Sequence, residues 1–413
     1  MPRRVDVLVL GGGVAGAATA ARVAQLLHGV RVLVLEAEAL PGYHSTGRSA
    51  AIFTETYGPA GVRALTSASR EFFETAAGSV EGFTDTPLLS PRGLLWVATP
   101  ERAAELRRQR AALEQQVSGV VALSAAEARK LVPLREGVHE AAFLETDASD
   151  MDVAAIHQGY LGSARARGAE LVCGAELHSA SRGDGGVWSV SASNGETYET
   201  DVLVNAAGAW ADEVNQRCGI EPIGIAPLVR TCITFEDQVH PAGGAGGAAA
   251  RAVGGGAPFV MDVSVNIEAD EDAKVEDERW YMCPRCDGWL VSLADETPSE
   301  PCDAQPDELA VAMMIDRVER ATQLKVQKLR SSWAGLRSFV HDHEFCLGAD
   351  DASGAGSGFV HTAALGGYGI QTSYAASCVV AAAVAAELRS EGESEVGDKL
   401  AAVLPLVSPA RLR

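Results

Sequence analysis

The sequence predicts a two-domain α/β chain in which a parallel-sheet domain is interrupted by a smaller α+β domain built on an antiparallel sheet. Three observations predict it. Residues 5–35 read as strand, glycine turn, helix and strand, the length of one βαβ unit. Strand-like and helix-like stretches alternate again near the end of the chain, with extra short strand-like runs in the middle. The length, 413 residues, suggests two domains rather than one.

Taken in order, residues 5–10 form a short apolar run, as a buried parallel strand should. Residues 14–27 are Ala-rich and helix-favouring, and 30–35 are a second β-branched run ending on Glu36. Residues 41–57 show no clear period. Helices are expected at 60–76, 100–116, 124–131 and 153–167, with Ser124 and Glu127 spaced as a capping box. A strand at 171–173 precedes a hairpin of 188–192 with 198–204, turning at Asn194-Gly195. Residues 241–258 read as a Gly- and Ala-rich mobile loop and 270–277 as an acidic turn. Antiparallel strands are expected at 259–263, 280–282 and 289–293, and helices at 306–329 and 375–388. This order assigns 1–84, 145–222 and 330–400 to the first domain, and 85–144 and 223–329 to the second.

Composition excludes several function classes. A net charge of −21 would repel a phosphate backbone over most of the surface, so no nucleic-acid partner is expected. With no run of about 18 apolar residues, no membrane span is expected. The first residues enter a strand without a cleavage-site pattern, which predicts a cytoplasmic protein. The eight cysteines read as reduced core thiols. Cys283-Pro284-Arg285-Cys286 is a lone CxxC; with Cys302 nearby but no fourth ligand, no metal is expected.

The chemistry-bearing signal is Gly11-Gly12-Gly13-Val14-Ala15-Gly16. Gly11 makes the tight turn, Gly13 lets a pyrophosphate approach the backbone, and Gly16 lets the helix pack on the strand. Val14 and Ala15 open the helix, whose N-terminus favours phosphate. Glu36, 20 residues past Gly16 and followed by Ala37, can accept hydrogen bonds from a ribose. The strand before, the helix after and the distal acid together make this a Rossmann-type domain. Two later segments favour FAD over NAD. One is an apolar strand running into Asn205-Ala206-Ala207-Gly208-Ala209-Trp210, and the other is Gly366-Gly367-Tyr368-Gly369-Ile370-Gln371 before the last helix. Both suit a chain returning to an FAD-binding domain.

Segments 42–51, 87–92, 157–161, 205–210, 333–340 and 366–372 resemble the D-amino-acid oxidase superfamily, and within it the D-arginine dehydrogenases. The resemblance runs to about residue 385. It implies a two-dinucleotide-binding-domain flavoprotein fold and hydride transfer from a substrate α-carbon to the flavin, giving an imino acid that hydrolyses to a 2-oxo acid. It places Arg230 and Arg337 on the substrate carboxylate, Tyr57 and Tyr281 beside the substrate, and Gly367 and Gln371 near the amine or flavin. His44, Ser45, Thr46 and Arg48, continuing through Ser49, Ala50 and Ala51, fall in the stretch that crosses the isoalloxazine in relatives. The implied substrate is a small amine-bearing acid, with the electron acceptor unidentified.

Two departures bear on specificity. A histidine of the close relatives is Ile52 here, and the acid that recognises a basic side chain is Leu94. An unpartnered guanidinium would be costly there, so an apolar side chain is expected in preference to D-arginine. Covalent FAD attachment in some relatives uses a cysteine where Gly335 and Leu336 stand, so non-covalent FAD is expected despite Cys346 nearby. Two alternatives remain open at this point: oxidation of a secondary amine, and a flavin-binding partner protein without turnover.

Overall fold

The computed structural model describes residues 1–236, 256–262, 279–285, 288–350, 357–389 and 398–412. The loop and acidic turn expected at 241–258 and 270–277 lie largely or wholly outside the described residues, as does Cys286.

Two large sheets organise the chain. The first runs Glu170–Val172, Val32–Leu35, Val7–Leu10, Val202–Asn205, Phe359–Ala363 and Cys346–Ala349, parallel throughout except for the last pair. Alternate side chains point to opposite faces. Val7, Val9, Val32 and Val34 bury against the helices Val14–Leu26, Ala60–Thr75, Val153–Ala166 and Gly369–Glu387. Leu8, Leu10, Leu33 and Leu35 bury against a small sheet made of Arg3–Arg4, Thr197–Thr200, Trp188–Ala192 and Leu177–Arg182. Gly369–Glu387 is apolar and long enough to cross a membrane by composition; here it packs against the Val14–Leu26 and Ala60–Thr75 helices.

Among the described residues the second sheet has nine strands and is antiparallel except where Phe259–Asp262 runs parallel to Leu94–Ala98. Its two longest members, Ala226–Phe235 and Leu329–Phe339, pair over almost their whole length. One face packs under the helices Ala125–Leu131 and Glu308–Ala321. The other, carrying Leu94, Trp96, Phe143, Cys232, Met261 and Tyr281, turns towards the first domain.

Several expectations shift. The capping box at Ser124 is present, with Glu127 N–H donating to Ser124 Oγ at 3.2 Å. The run read as one strand at 198–204 is two: Thr197–Thr200 completes the hairpin, and Val202–Asn205 enters the parallel sheet. The helix expected at 306–329 spans Glu308–Ala321, and Leu329 already opens a strand. That strand pairs into the second sheet as far as Phe339, so the chain returns to the first sheet later than residue 330. The helix expected at 375–388 begins at Gly369, six residues early, because its first turn is built from the end of the glycine cluster itself.

Candidate active site

A single continuous cavity of about 380 Å³ runs from Glu36 and Leu35, past both helix N-termini, to Arg230, Tyr281 and Arg337. Its first half is a backbone cradle. A Cβ on Gly11 would lie 2.5 Å from the Ala206 carbonyl oxygen, and one on Gly16 would lie 1.9 Å from that of Gly11. Gly11 also has φ +106°, which an L side chain rarely adopts. Thr46 Oγ1 accepts from Val14 N–H at 3.0 Å and fixes the helix entry. Neither N-cap residue, Gly13 or Tyr368, caps its helix with a side chain, and neither helix has an acidic residue in its first turn, so both N-termini favour a bound anion. Glu36 is oriented by Gly12 N–H (2.7 Å) and Glu38 N–H (2.8 Å), which leaves carboxylate lone pairs for sugar hydroxyls.

The stretch after it is stapled to the second domain. Ser45 Oγ donates to Leu336 O at 2.6 Å, and Arg48 Nη1 donates to Ala304 O and Ala334 O at 3.0 and 2.8 Å. Arg48 also pairs with Asp303, and Trp333 Nε1 donates to Arg48 O at 3.1 Å. The His44 ring lies 4.6 Å from that of Trp210, and its Nε2 meets Glu38 at 2.8 Å. Ser49 accepts from Ala51 N–H.

The other end of the cavity is set by strand register. Leu228 faces Arg337, Arg230 faces Gly335 and Cys232 faces Trp333 across the two long strands, so Arg230 and Arg337 are diagonal neighbours on one face. Their electrostatic situations differ. Arg230 donates to Asp295 O at 2.7 Å and pairs with Glu296 at 3.2 Å, which Arg279 meets from the other side at 3.2 Å. Among the described residues no carboxylate pairs with Arg337; its Nη1 donates to Tyr57 Oη at 3.3 Å. Burial works against the Arg337 charge, but Tyr57, Tyr281 and Tyr368 around it raise its proton affinity, so it stays cationic. Burial also pushes the Tyr281 phenol up, and Cys232 Sγ sits 3.5 Å from its hydroxyl. Gly367 is the floor: a Cβ there would lie 2.5 Å from Arg337 Cζ.

This cradle fits a dinucleotide, with the glycines admitting it, Glu36 placed for a sugar and an uncompensated cation at the far end. Residues 6–383 match the family described as FAD dependent oxidoreductase (DAO). The chain belongs to that family. FAD is therefore its cofactor, and the enzyme is a flavin oxidoreductase. It is similar to glycine oxidase from Geobacillus kaustophilus (TM-score 0.76, 21% identity, 96% of this chain and 97% of that one). It is also similar to L-proline dehydrogenase from P. horikoshii (TM-score 0.75, 18% identity, 97% and 98%). Among curated proteins it is 28% identical to L-2-hydroxyglutarate dehydrogenase of Salmonella houtenae over 225 residues, 52% of this chain and 50% of the relative. The chain thus spans about half the length of the curated relatives it matches.

Most of the sequence-predicted residues meet in this flavoenzyme's cavity. They are Gly11, Gly13, Val14, Ala15, Glu36, Ala37, His44, Ser45, Thr46, Arg48, Ser49, Ala50, Ala206, Ala207, Gly208, Trp210, Gly366, Gly367, Gly369 and Ile370, with Arg230, Tyr281 and Arg337. Gly16 acts behind the wall by close packing, and Ala51 (φ 37°) turns the chain out of it. Tyr57 and Tyr368 stand behind Arg337. The Gln371 side chain points elsewhere: Oε1 accepts from Thr54 N–H at 3.3 Å and Nε2 donates to Thr66 at 3.0 Å. Sequence reasoning missed Cys232, Glu296 and the Glu176, Glu213 and Arg217 cluster near Glu36. The acidic doublet Asp295-Glu296, directly after an expected strand, was the one available signal for the Arg230 partner. The described residues contain no group of three or more His, Cys, Asp or Glu able to hold a metal.

Proposed function

We propose that this flavoenzyme oxidises the Cα–N bond of a small amine-bearing carboxylic acid, a D-amino acid with an apolar side chain. The observation that carries the reading is Arg337, a half-buried guanidinium with no carboxylate partner among the described residues, at the end of the dinucleotide cavity. A planar donor fork of this kind pairs bidentately with a carboxylate, and a cation partly withdrawn from water favours such an anion. Arg230, already paired with Glu296, adds positive potential and fixes the wall rather than offering a second open seat. Bound FAD supplies the hydride acceptor, and the imino product hydrolyses in water to a 2-oxo acid.

The apolar preference rests on what surrounds the seat. Leu94 is fully buried in the cluster that holds Met261, Phe259 and Tyr281, with Ile52 and Ala50 packed against it. The acids opposite Leu94 and Ile52 in the strand pairing, Glu145 and Asp150, are taken up by Thr54 and Thr56 and by Arg92, so a basic side chain would lose its hydration without gaining a free partner. A second reading, oxidation at the carbinol carbon of a 2-hydroxy acid, is favoured by the name of the curated relatives. A third keeps the carboxylate seat and takes a secondary amine, as the name of the proline-acting neighbour suggests.

Anaerobic bleaching of the flavin absorbance separates these readings. The panel is D- and L-leucine, D-phenylalanine, D-arginine, an N-methyl amino acid, proline and a 2-hydroxy acid of matched side chain. Fastest bleaching by D-leucine or D-phenylalanine supports the proposal. D-Arginine outpacing both by about tenfold, about 1.4 kcal/mol of discrimination, would refute the apolar preference.

A further inference from the structure

Three arginines line the substrate end of the cavity: Arg48, Arg230 and Arg337. Two of them already face carboxylates, Arg48 through Asp303 and Arg230 through Glu296. Arg337 has none among the described residues. A cation already answered by a fixed acid offers a second anion little, because that anion meets the acid's repulsion along with the cation's pull. How many carboxylates a substrate can carry therefore follows from which arginines are answered.

The turn that answers Arg230 separates two tasks between two acids. Residues 293–296 join Gly288–Ser292 to Thr297–Pro298, and both of those strands pair with Ala226–Phe235. Ala294 takes a left-handed conformation (φ 58°), its N–H donating to Ser292 Oγ at 3.2 Å, and Asp295 and Glu296 follow it. Asp295 anchors the turn. Its carboxylate accepts from Thr231 N–H at 2.9 Å and from Thr231 Oγ1 at 3.0 Å, and its carbonyl accepts from Arg230 Nε at 2.7 Å. The Glu296 carboxylate, among the described residues, meets guanidiniums alone: Arg230 Nη2 on one oxygen and Arg279 Nη2 on the other, each at 3.2 Å. An acid with those partners contributes charge rather than chain geometry.

We propose that Glu296 is a specificity-determining residue: by answering Arg230 it limits the pocket to acids with one carboxylate and turns away dicarboxylic acids. The inference deepens the reading above and rests on its carboxylate seat at Arg337, not on which bond is oxidised. Arg230 and Arg337 are diagonal neighbours on one sheet face, and Gly335, directly across from Arg230, lines the cavity without adding a side chain. Diagonal positions stand roughly 7–8 Å apart, a separation that a short dicarboxylate can bridge. Without Glu296 the two guanidiniums would clamp such a ligand. With it, the second carboxylate would lie beside a like charge. The neighbouring walls, Cys232 and Tyr281, offer no cation in exchange.

The test compares two unreactive ligands of equal chain length, pentanoate and pentanedioate, on the FAD-loaded protein. Binding is read from the shift of the flavin absorption band. The unmodified protein should bind pentanoate about tenfold more tightly than pentanedioate. Glu296→Gln removes the charge and keeps the shape. In that variant pentanoate affinity should stay within about threefold, while pentanedioate should gain about tenfold, the scale of one unit charge removed beside a partly buried site. A merely structural role would weaken both ligands together and leave their ratio alone. A ratio in Glu296→Gln within about twofold of the unmodified protein's overturns the proposal. Pentanedioate binding as tightly as pentanoate to the unmodified protein overturns it too, whether or not the variant folds. If pentanoate gives no band shift with the unmodified protein, the seat at Arg337 is wrong and this inference falls with it. A normal pentanoate shift with an unmoved ratio leaves the seat standing and removes only the role of Glu296.

Discussion

Gly367→Ala is the sharpest probe of the substrate seat. The new Cβ would lie 2.5 Å from Arg337 Cζ and 2.7 Å from both Nε and Nη1. Carbon contacts settle near 3.5–4.0 Å, so the guanidinium must retreat by roughly 1 Å. Backbone strain does not confound the change, since Gly367 is outside the left-handed region. A retreat of that size breaks the 3.3 Å bond to Tyr57 and misaligns the fork for a carboxylate. Hydrogen bonds to a charged group are worth roughly 1.5–3 kcal/mol, so kcat/KM for the preferred amino acid should fall by about 10- to 100-fold. The assay is stopped-flow flavin reduction across substrate concentrations, with flavin affinity measured separately by fluorescence. The loss should appear in substrate affinity while flavin affinity holds within about threefold. Wild-type affinity for a 3-methylbutanoate ligand in this variant would refute the placement of the seat. A collapse of flavin affinity would show instead that Gly367 belongs to the cofactor cradle.

Three further outcomes are expected. Gly16→Ala puts a methyl 1.9 Å from the Gly11 carbonyl oxygen, so the purified variant should be colourless and fail to take up added FAD; a yellow variant with normal flavin content would count against the cradle. Acid precipitation of the native protein should leave the flavin in the supernatant, because Gly335 and Leu336 at the cavity wall offer no thiol; colour in the pellet would mean a covalent bond. His157 Nε2 meets Gly12 O at 2.8 Å, and burial pulls the imidazole below its ordinary 6.5. The folded state therefore binds fewer protons than the unfolded one. The stabilisation is present above 6.5 and is lost as pH falls through the lowered value. Thermal stability should drop on acidification through that window, and His157→Gln should flatten that part of the profile.

The Gly11–Gly16 turn and Glu36 were legible because each answers to a local demand, a tight turn or an acid at a strand tip. The hairpin at Asn194-Gly195 was legible for the same reason, although its second strand ends at Thr200. There the chain leaves one sheet for another, which periodicity does not record. The two long strands, Ala226–Phe235 and Leu329–Phe339, escaped notice. The second opens at Leu329, which reads in sequence as the end of a helix, and its next residues, Arg330, Ser331 and Ser332, are all exposed and show no alternation. The two arginines were found by resemblance, but their inequality was not. It depends on Glu296, 66 residues from Arg230 in the chain and brought to it only by sheet pairing. Gln371 was misleading in a similar way: its amide is taken up by Thr54 and Thr66, more than 300 residues away.

The register between Ala226–Phe235 and Leu329–Phe339 has an evolutionary consequence. Because the two arginines of the pocket sit on neighbouring ribbons, a single-residue insertion ahead of either one would turn that ribbon's contribution out of the pocket at once. Exchanges of individual pocket side chains, by contrast, leave the nucleotide cradle untouched. Descendants of such a scaffold can therefore change their diet by substitution far more readily than by altering the length of those two ribbons.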